Sequence, residues 1–189
     1  MSRIKVYVAS SWRNPFQPQV VARLREAGYE VYDFKDPAGS KGFAWSDIDP
    51  EWQKWDLVRY LKALAHPLAQ SGFRSDMGAL AECAAVVAVL PCGRSAHLEL
   101  GYAVGAGKFT VALVLGENEP ELMYRMLDCI ADFPSGAIAA LDRRFGRQPP
   151  PPSEWVHPLC GHCRGTGRVH RIDGENTCCP SCQGTGRAS

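Results

Sequence analysis

Residues 84–90 of this 189-residue chain read Ala-Ala-Val-Val-Ala-Val-Leu, an apolar run closed by Pro91 and Gly93. A valine-rich run without alternation suits a strand buried on both faces, the mark of a parallel sheet. Parallel neighbours need crossover connections, so such a chain is constrained to alternate strands with helices. The next stretch, Ser95-Ala96-His97-Leu98-Glu99-Leu100-Gly101-Tyr102, predicts a helix over 95–107 with Ser95 as its N-cap. Glu99 then falls near the first turn, at the carboxyl end of a central strand, where open α/β sheets bind their ligands. It is a candidate nucleophile or acid/base. An acidic residue there would equally complement the helix dipole, and the stretch alone leaves both readings open.

The remaining pattern continues the alternation. Strands are expected over 4–9, 30–34 and 110–115, and helices over 18–27, 55–64, 77–83, 119–127 and 135–143, the first closed by Gly28. Residues 35–53 read as a long loop rich in Gly, Pro, Asp and aromatics. Phe43, Trp45, Trp52 and Trp55 lie in it or at its exit, with Ser46, Asp47 and Asp49 among them. Such a surface would stack a flat base or sugar ring, with acids for its hydroxyls; tryptophans capping a satellite core are the alternative.

Charge is nearly balanced, 21 basic against 20 acidic residues, so no global field argues for nucleic acid or a membrane as partner. No apolar stretch approaches the roughly 20 residues of a membrane helix. The first ten residues alternate like a strand and carry no signal-peptide pattern, so a cytoplasmic location is expected. Cys83, Cys92 and Cys129 are scattered through the apolar body and are expected to be reduced.

Four consecutive prolines, 149–152, can neither continue a helix nor donate to a sheet. They divide the chain into an α/β domain over 1–146, a linker over 147–156 and a module over 157–189. In the last part Cys160-Gly-His-Cys163-Arg-Gly-Thr-Gly167 recurs as Cys179-Pro-Ser-Cys182-Gln-Gly-Thr-Gly186, with fifteen residues between the inner cysteines. Two such pairs predict one tetrahedral Zn2+ held by Cys160, Cys163, Cys179 and Cys182. A closed four-thiolate site has no open position for substrate, so the metal would be structural. Cys178 is a spare thiol, and His157, His162 and His170 read as exposed imidazoles. Arg164, Arg168, Arg171 and Arg187 give a basic face that offsets thiolate charge or contacts nucleic acid; the first is favoured. The repeat resembles the cysteine-rich zinc domain of DnaJ-type chaperones, with two repeats in place of four. No organic cofactor is expected. The fold class that follows is α/β, a doubly wound (flavodoxin/Rossmann-like) parallel sheet with a small C-terminal zinc-binding module.

Four features combine across about residues 3–115. They are Tyr7 followed by Ala9-Ser10-Ser11, Asp76 in Arg74-Ser75-Asp76-Met77, the strand 85–90, and residues 95–103 followed by Gly107-Lys108. Together they resemble the nucleoside 2-deoxyribosyltransferase family, which includes deoxynucleoside 5′-monophosphate N-glycosidases. The resemblance implies that Glu99 attacks the anomeric carbon of a 2-deoxyribosyl group, that Asp76 serves the departing base as acid, and that Tyr7 orients Glu99. A carboxylate suits an oxocarbenium-like transition state, and two carboxylates in one cleft push each other's pKa values apart. Asp76 as a cap of the helix 77–83 is the competing account. Family transferases carry an acidic residue shortly before the glutamate, where this chain has Cys92-Gly93-Arg94. Arg94 beside Ser95 at a helix start is what a phosphate favours, and Ser10, Ser11 and Arg13 would add donors, with Trp45 as a stacking wall. The expected partner is a small-molecule nucleoside or, more in keeping with Arg94, a nucleotide, and a homo-oligomer is expected. A rival reading makes the chain a non-catalytic nucleotide-binding sensor or adaptor whose tail recruits a protein or nucleic acid.

Overall fold

The structure, a computed structural model, describes residues 3–37, 41–116 and 118–147, together with the backbone of two short strands farther on. The chain divides into two compact units, Met1–Gln148 and Pro149–Ser189. In the second, Arg168–His170 pairs antiparallel with Asn176–Cys178. Cys160, Cys163, Cys179 and Cys182 lie outside the described residues. Among the described residues no group of three or more His, Cys, Asp or Glu is placed to hold a metal ion.

The first unit alternates as its sequence suggests. β1 (Lys5–Ala9) leads through α1 (Gln17–Glu26) to β2 (Glu30–Asp33). After a long connection with two short 3-10 turns come α2 (Leu57–Leu64), α3 (Pro67–Glu82), β3 (Ala85–Val89) and α4 (Arg94–Gly105). β4 (Phe109–Leu113), β5 (Cys129–Ala131) and α5 (Pro134–Arg144) complete it. The five strands form one sheet in the order β2-β1-β3-β4-β5, every pair parallel. All five residues of β3 are buried, as a central parallel strand requires.

Side-chain alternation sorts the core into two layers. Val6, Val8, Val87, Val89, Val111 and Leu113 meet Val20, Val21 and Leu24 of α1 and Ile138 and Leu141 of α5. Tyr7, Ala9, Val86, Ala88 and Ala112 turn the other way, onto Leu80 of α3 and Ala96, Leu100 and Ala103 of α4. α1 ends as expected at Gly28, whose φ of +84° is open to glycine at little cost. The Lys108 ammonium donates to the Cys83 carbonyl at 2.7 Å and to Ala81 at 2.9 Å, so it ties off the end of α3.

Several elements differ from the sequence reading. α3 starts at Pro67 rather than near residue 77, because Pro67 at its first position and the His66 ring accepting from Leu68 N–H begin a helix whose early turns are mostly exposed. Asp76 is therefore inside a helix and is no cap. The expected helix over 119–127 is a 3-10 turn, Leu122–Met126, and the three-residue edge strand β5 had no alternation to show. α4 begins at Arg94 behind Gly93, whose extended backbone occupies the N-cap without any side-chain cap bond. Ser95 is thus not the cap, and Glu99 sits in the second turn, beyond the reach of the helix dipole's first-turn preference.

Candidate active site

The strand order reverses between β1 and β3: the chain goes outward from β1 to β2, then returns to β1's other side. In open parallel sheets a crevice opens at that point, outside the carboxyl ends of the strands. Here the loops leaving β1 and β3 are stitched across it. Ser10 Oγ donates to the Val89 carbonyl at 2.8 Å, and buried Asn14 donates from Nδ2 to Val89 at 2.9 Å and Pro91 at 3.0 Å. Asn14 Oδ1 accepts from Phe16 N–H at 2.8 Å, so one side chain fixes both loops and the entry into α1.

Over this junction lies a cleft of about 520 Å3, lined by Ser10, Ser11, Trp12 and Arg13 from the β1 loop and by Gly93, Ser95, Ala96 and Glu99 from α4. Its far wall is aromatic: Phe34 follows β2, and Phe43, Trp45 and Trp52 come from the long connection. Asp76 reaches in from α3. Of the nine catalytic and binding candidates of the sequence, seven therefore line one space, Ser10, Ser11, Arg13, Trp45, Asp76, Ser95 and Glu99, together with Phe43, Ser46 and Trp52 of the long loop. Arg94 is exposed and does not line it.

The aromatics are braced as well as displayed. Trp45 meets Phe43 edge-on at 4.9 Å, Trp55 at 5.6 Å and Tyr60 of α2 at 6.0 Å. Trp55 does not line the cleft and donates from Nε1 to Asp49 at 2.6 Å, while Asp47 pairs with Lys41 at 2.8 Å. Those two acids are occupied, so the expectation that they serve substrate hydroxyls is not met. Trp12 and Phe34, edge to face at 5.6 Å, add a wall that sequence reading missed. Trp12 sits in no periodic pattern that marks it, and Phe34 reads in the sequence only as the last residue of the strand 30–34.

Tyr7 is fully buried on β1, and its hydroxyl makes no hydrogen bond of ordinary geometry. Its neighbour is the Glu99 carboxyl. Burial drives the Tyr7 pKa far up, and the charges of Glu99 and Asp76 add to that. Glu99 is half-buried, and desolvation followed by repulsion from Asp76 pushes its pKa up to about 7, opposed by the Tyr7 hydroxyl beside it. Asp76 is also raised by burial, against a hydrogen bond from Tyr32 whose O–H donates to Oδ1 at 2.8 Å. Tyr32 stacks on Tyr7 with ring centres 5.2 Å apart. The site thus holds two carboxyls that cannot both ionise freely at neutral pH, each addressed by a tyrosine. Such a pair can supply one anion and one proton donor.

No family profile and no curated protein matches the sequence. Among solved structures the chain is similar to a 2-deoxyribosyltransferase of Bacillus psychrosaccharolyticus, at 16% identity over 71% of this chain and 90% of that one, TM-score 0.47. It is similar to a Clostridium botulinum CMP N-glycosidase, BcmB, at 16% identity over 73% and 98% of the two chains, TM-score 0.40. A conserved protein of Enterococcus faecalis V583 is similar at 13% identity over 76% and 99%, TM-score 0.49. At such identities no residue role carries across.

Proposed function

We propose that the first unit cleaves or exchanges the N-glycosidic bond of a 2′-deoxynucleoside or its 5′-monophosphate, with Glu99 as nucleophile. The observation that carries this reading is the convergence of Glu99 and Asp76, from two separate helices, on one aromatic-walled cleft at the reversal of strand order. Glu99 as the carboxylate attacks C1′ and forms a glycosyl ester as the C1′–N bond breaks, and the departing base takes the proton of Asp76. Water or a second base then attacks C1′, frees the Glu99 carboxylate and returns a proton to Asp76. Tyr7 stabilises the Glu99 anion. Aromatic rings hold the base, the flat part of the substrate.

The β1 loop supports a phosphate at the other end. Ser10 spends its proton on Val89, but the Ser11 hydroxyl accepts from Arg13 N–H at 3.2 Å and keeps its own proton to donate. Arg13 and the uncapped start of α4 at Gly93 and Ser95 lie beside it, a combination suited to an anion. The tail is proposed to carry one structural zinc on its four cysteines, apart from this chemistry.

The test is to incubate the purified chain with each deoxynucleoside and its 5′-monophosphate, with and without a free second base, and to separate the products. Base release or exchange is expected, and Glu99→Gln should lower it by several powers of ten with the fold intact. Undiminished turnover in Glu99→Gln sinks the assignment. Tight nucleotide binding with no base released from any substrate would favour the sensor reading.

A further inference from the structure

We propose, building on the function above, that Tyr32 is a positioning residue which decides whether Asp76 or Glu99 holds the proton that this pair shares. Tyr7 and Tyr32 are register partners on β1 and β2, so they leave the sheet on the same face. Their rings stack 5.2 Å apart at 17°. Each hydroxyl is thereby delivered to a different carboxyl, Tyr32 to Asp76 at 2.8 Å and Tyr7 toward Glu99. A hydrogen bond donated to one member of a carboxyl pair favours its anion and leaves the proton on the other. With Tyr32 donating, Asp76 is the member whose anion is favoured, against the burial that raises it, and Glu99 the one that keeps the proton, in line with the upward shift of Glu99 to about 7.

The chemistry needs the opposite arrangement, and Tyr32 provides the route to it. Its oxygen is also 3.0 Å from Ser75 Oγ. When the Tyr32 proton turns to Ser75, the Tyr32 oxygen accepts from protonated Asp76, so the proton lost by Glu99 is taken up without leaving a polar atom unpaired. Tyr7 then donates to the Glu99 anion. The other charged or titratable groups facing the pair do not compete with this exchange. Arg13, from the β1 loop, is exposed. Cys92, after β3, is kept neutral by burial and by Glu99, which push its thiol up to about 11. Lys41 and Asp47 line a smaller cleft that Asp76 also borders, and they pair with each other.

The experiment is a carbon-13 NMR titration of the Asp76 and Glu99 carboxyls in the full chain, for the unaltered protein, Tyr32→Phe, Asp76→Asn and the double variant. Tyr32→Phe keeps the stacked ring and removes only the donor. It should raise the Asp76 midpoint and lower that of Glu99, each by about half a pH unit or more. Asp76→Asn should also lower Glu99, and adding Tyr32→Phe to it should move Glu99 no further. In kinetics, the acid limb of kcat/KM should follow Glu99 to lower pH in Tyr32→Phe. Unmoved midpoints in Tyr32→Phe, or a further displacement in the double variant, overturn the proposal. Should Tyr32→Phe not fold, 3-fluorotyrosine at position 32, a stronger donor, must move both midpoints the other way. Failure to release base from any substrate would defeat the glycosidic reading alone, since the titrations judge Tyr32 without turnover.

Discussion

Glu99 is held where its charged form is disfavoured, and this ties stability to pH. Its pKa is pushed from 4.5 to about 7 by folding, so between those values the folded chain keeps a proton that the unfolded chain has released. Stability therefore falls as pH rises from about 4.5 to about 7, and the whole deficit is present above that. Glu99→Gln is neutral at every pH and escapes the deficit. It should melt above the unaltered protein at pH 8 and alongside it near pH 4; a gain on the order of 1 kcal/mol would be about 2–4 °C for a chain of this size. Coincident melting curves at pH 8 would show that Glu99 is not in this environment. The same titration gives kcat/KM a rise through about pH 7, as the nucleophile becomes an anion. Glu99, Asp76 and Tyr7 could be picked out from motifs in the sequence, because each sits in a local pattern. Tyr32 could not, since its pairing with Tyr7 exists only once β2 is laid beside β1.

α3 shows how an element can be half hidden in the sequence and still shape the cleft. Its early turns are polar and exposed, so no apolar stripe announces them, yet they hold up the aromatic connection. Gly72 is the contact point: a Cβ there would stand 2.7 Å from Phe43 Cβ and 3.0 Å from its Cγ. Gly72→Ala should lower the melting temperature, because forcing Phe43 aside at its own Cβ costs about 1–3 kcal/mol, more than the up to about 1 kcal/mol that alanine gains over glycine inside a helix. Phe43 must move and carry Trp45 with it, so KM should rise several-fold with kcat little changed. Substrate titrations and melting curves together test this: an unchanged KM would mean that the aromatic wall is not part of the binding surface. The strands of four or five residues, by contrast, are legible from alternation or from an apolar run. β3 was found within a residue, whereas three-residue β5 was not found at all.

At the scale of the whole chain, both core layers and their flanking side chains, among the described residues, draw on residues 4–145. Arg147 closes the unit, its guanidinium donating to the Ala27 carbonyl at 2.7 Å and lying 4.3 Å over the Tyr29 ring. A chain ended after Gln148 should fold and keep its turnover. Elemental analysis should find about one zinc per full-length chain and none in the shortened one. Stoichiometric zinc in the shortened protein, or loss of turnover on chelation while the first unit stays folded, would show that metal and chemistry are coupled. The stitch between the two loops has a kinetic side as well. Every pair in the five-stranded sheet is parallel, and the bond from Asn14 to Val89 closes 75 residues of chain, within which lie Phe34, Phe43, Trp45, Trp52 and Asp76. Closing so long a loop must precede the contacts that reward it, which makes such pairing slow. The walls of the cleft belong to a segment that has no fixed position until β3 docks on β1, so during refolding ligand binding should return together with the last cooperative step and never ahead of it.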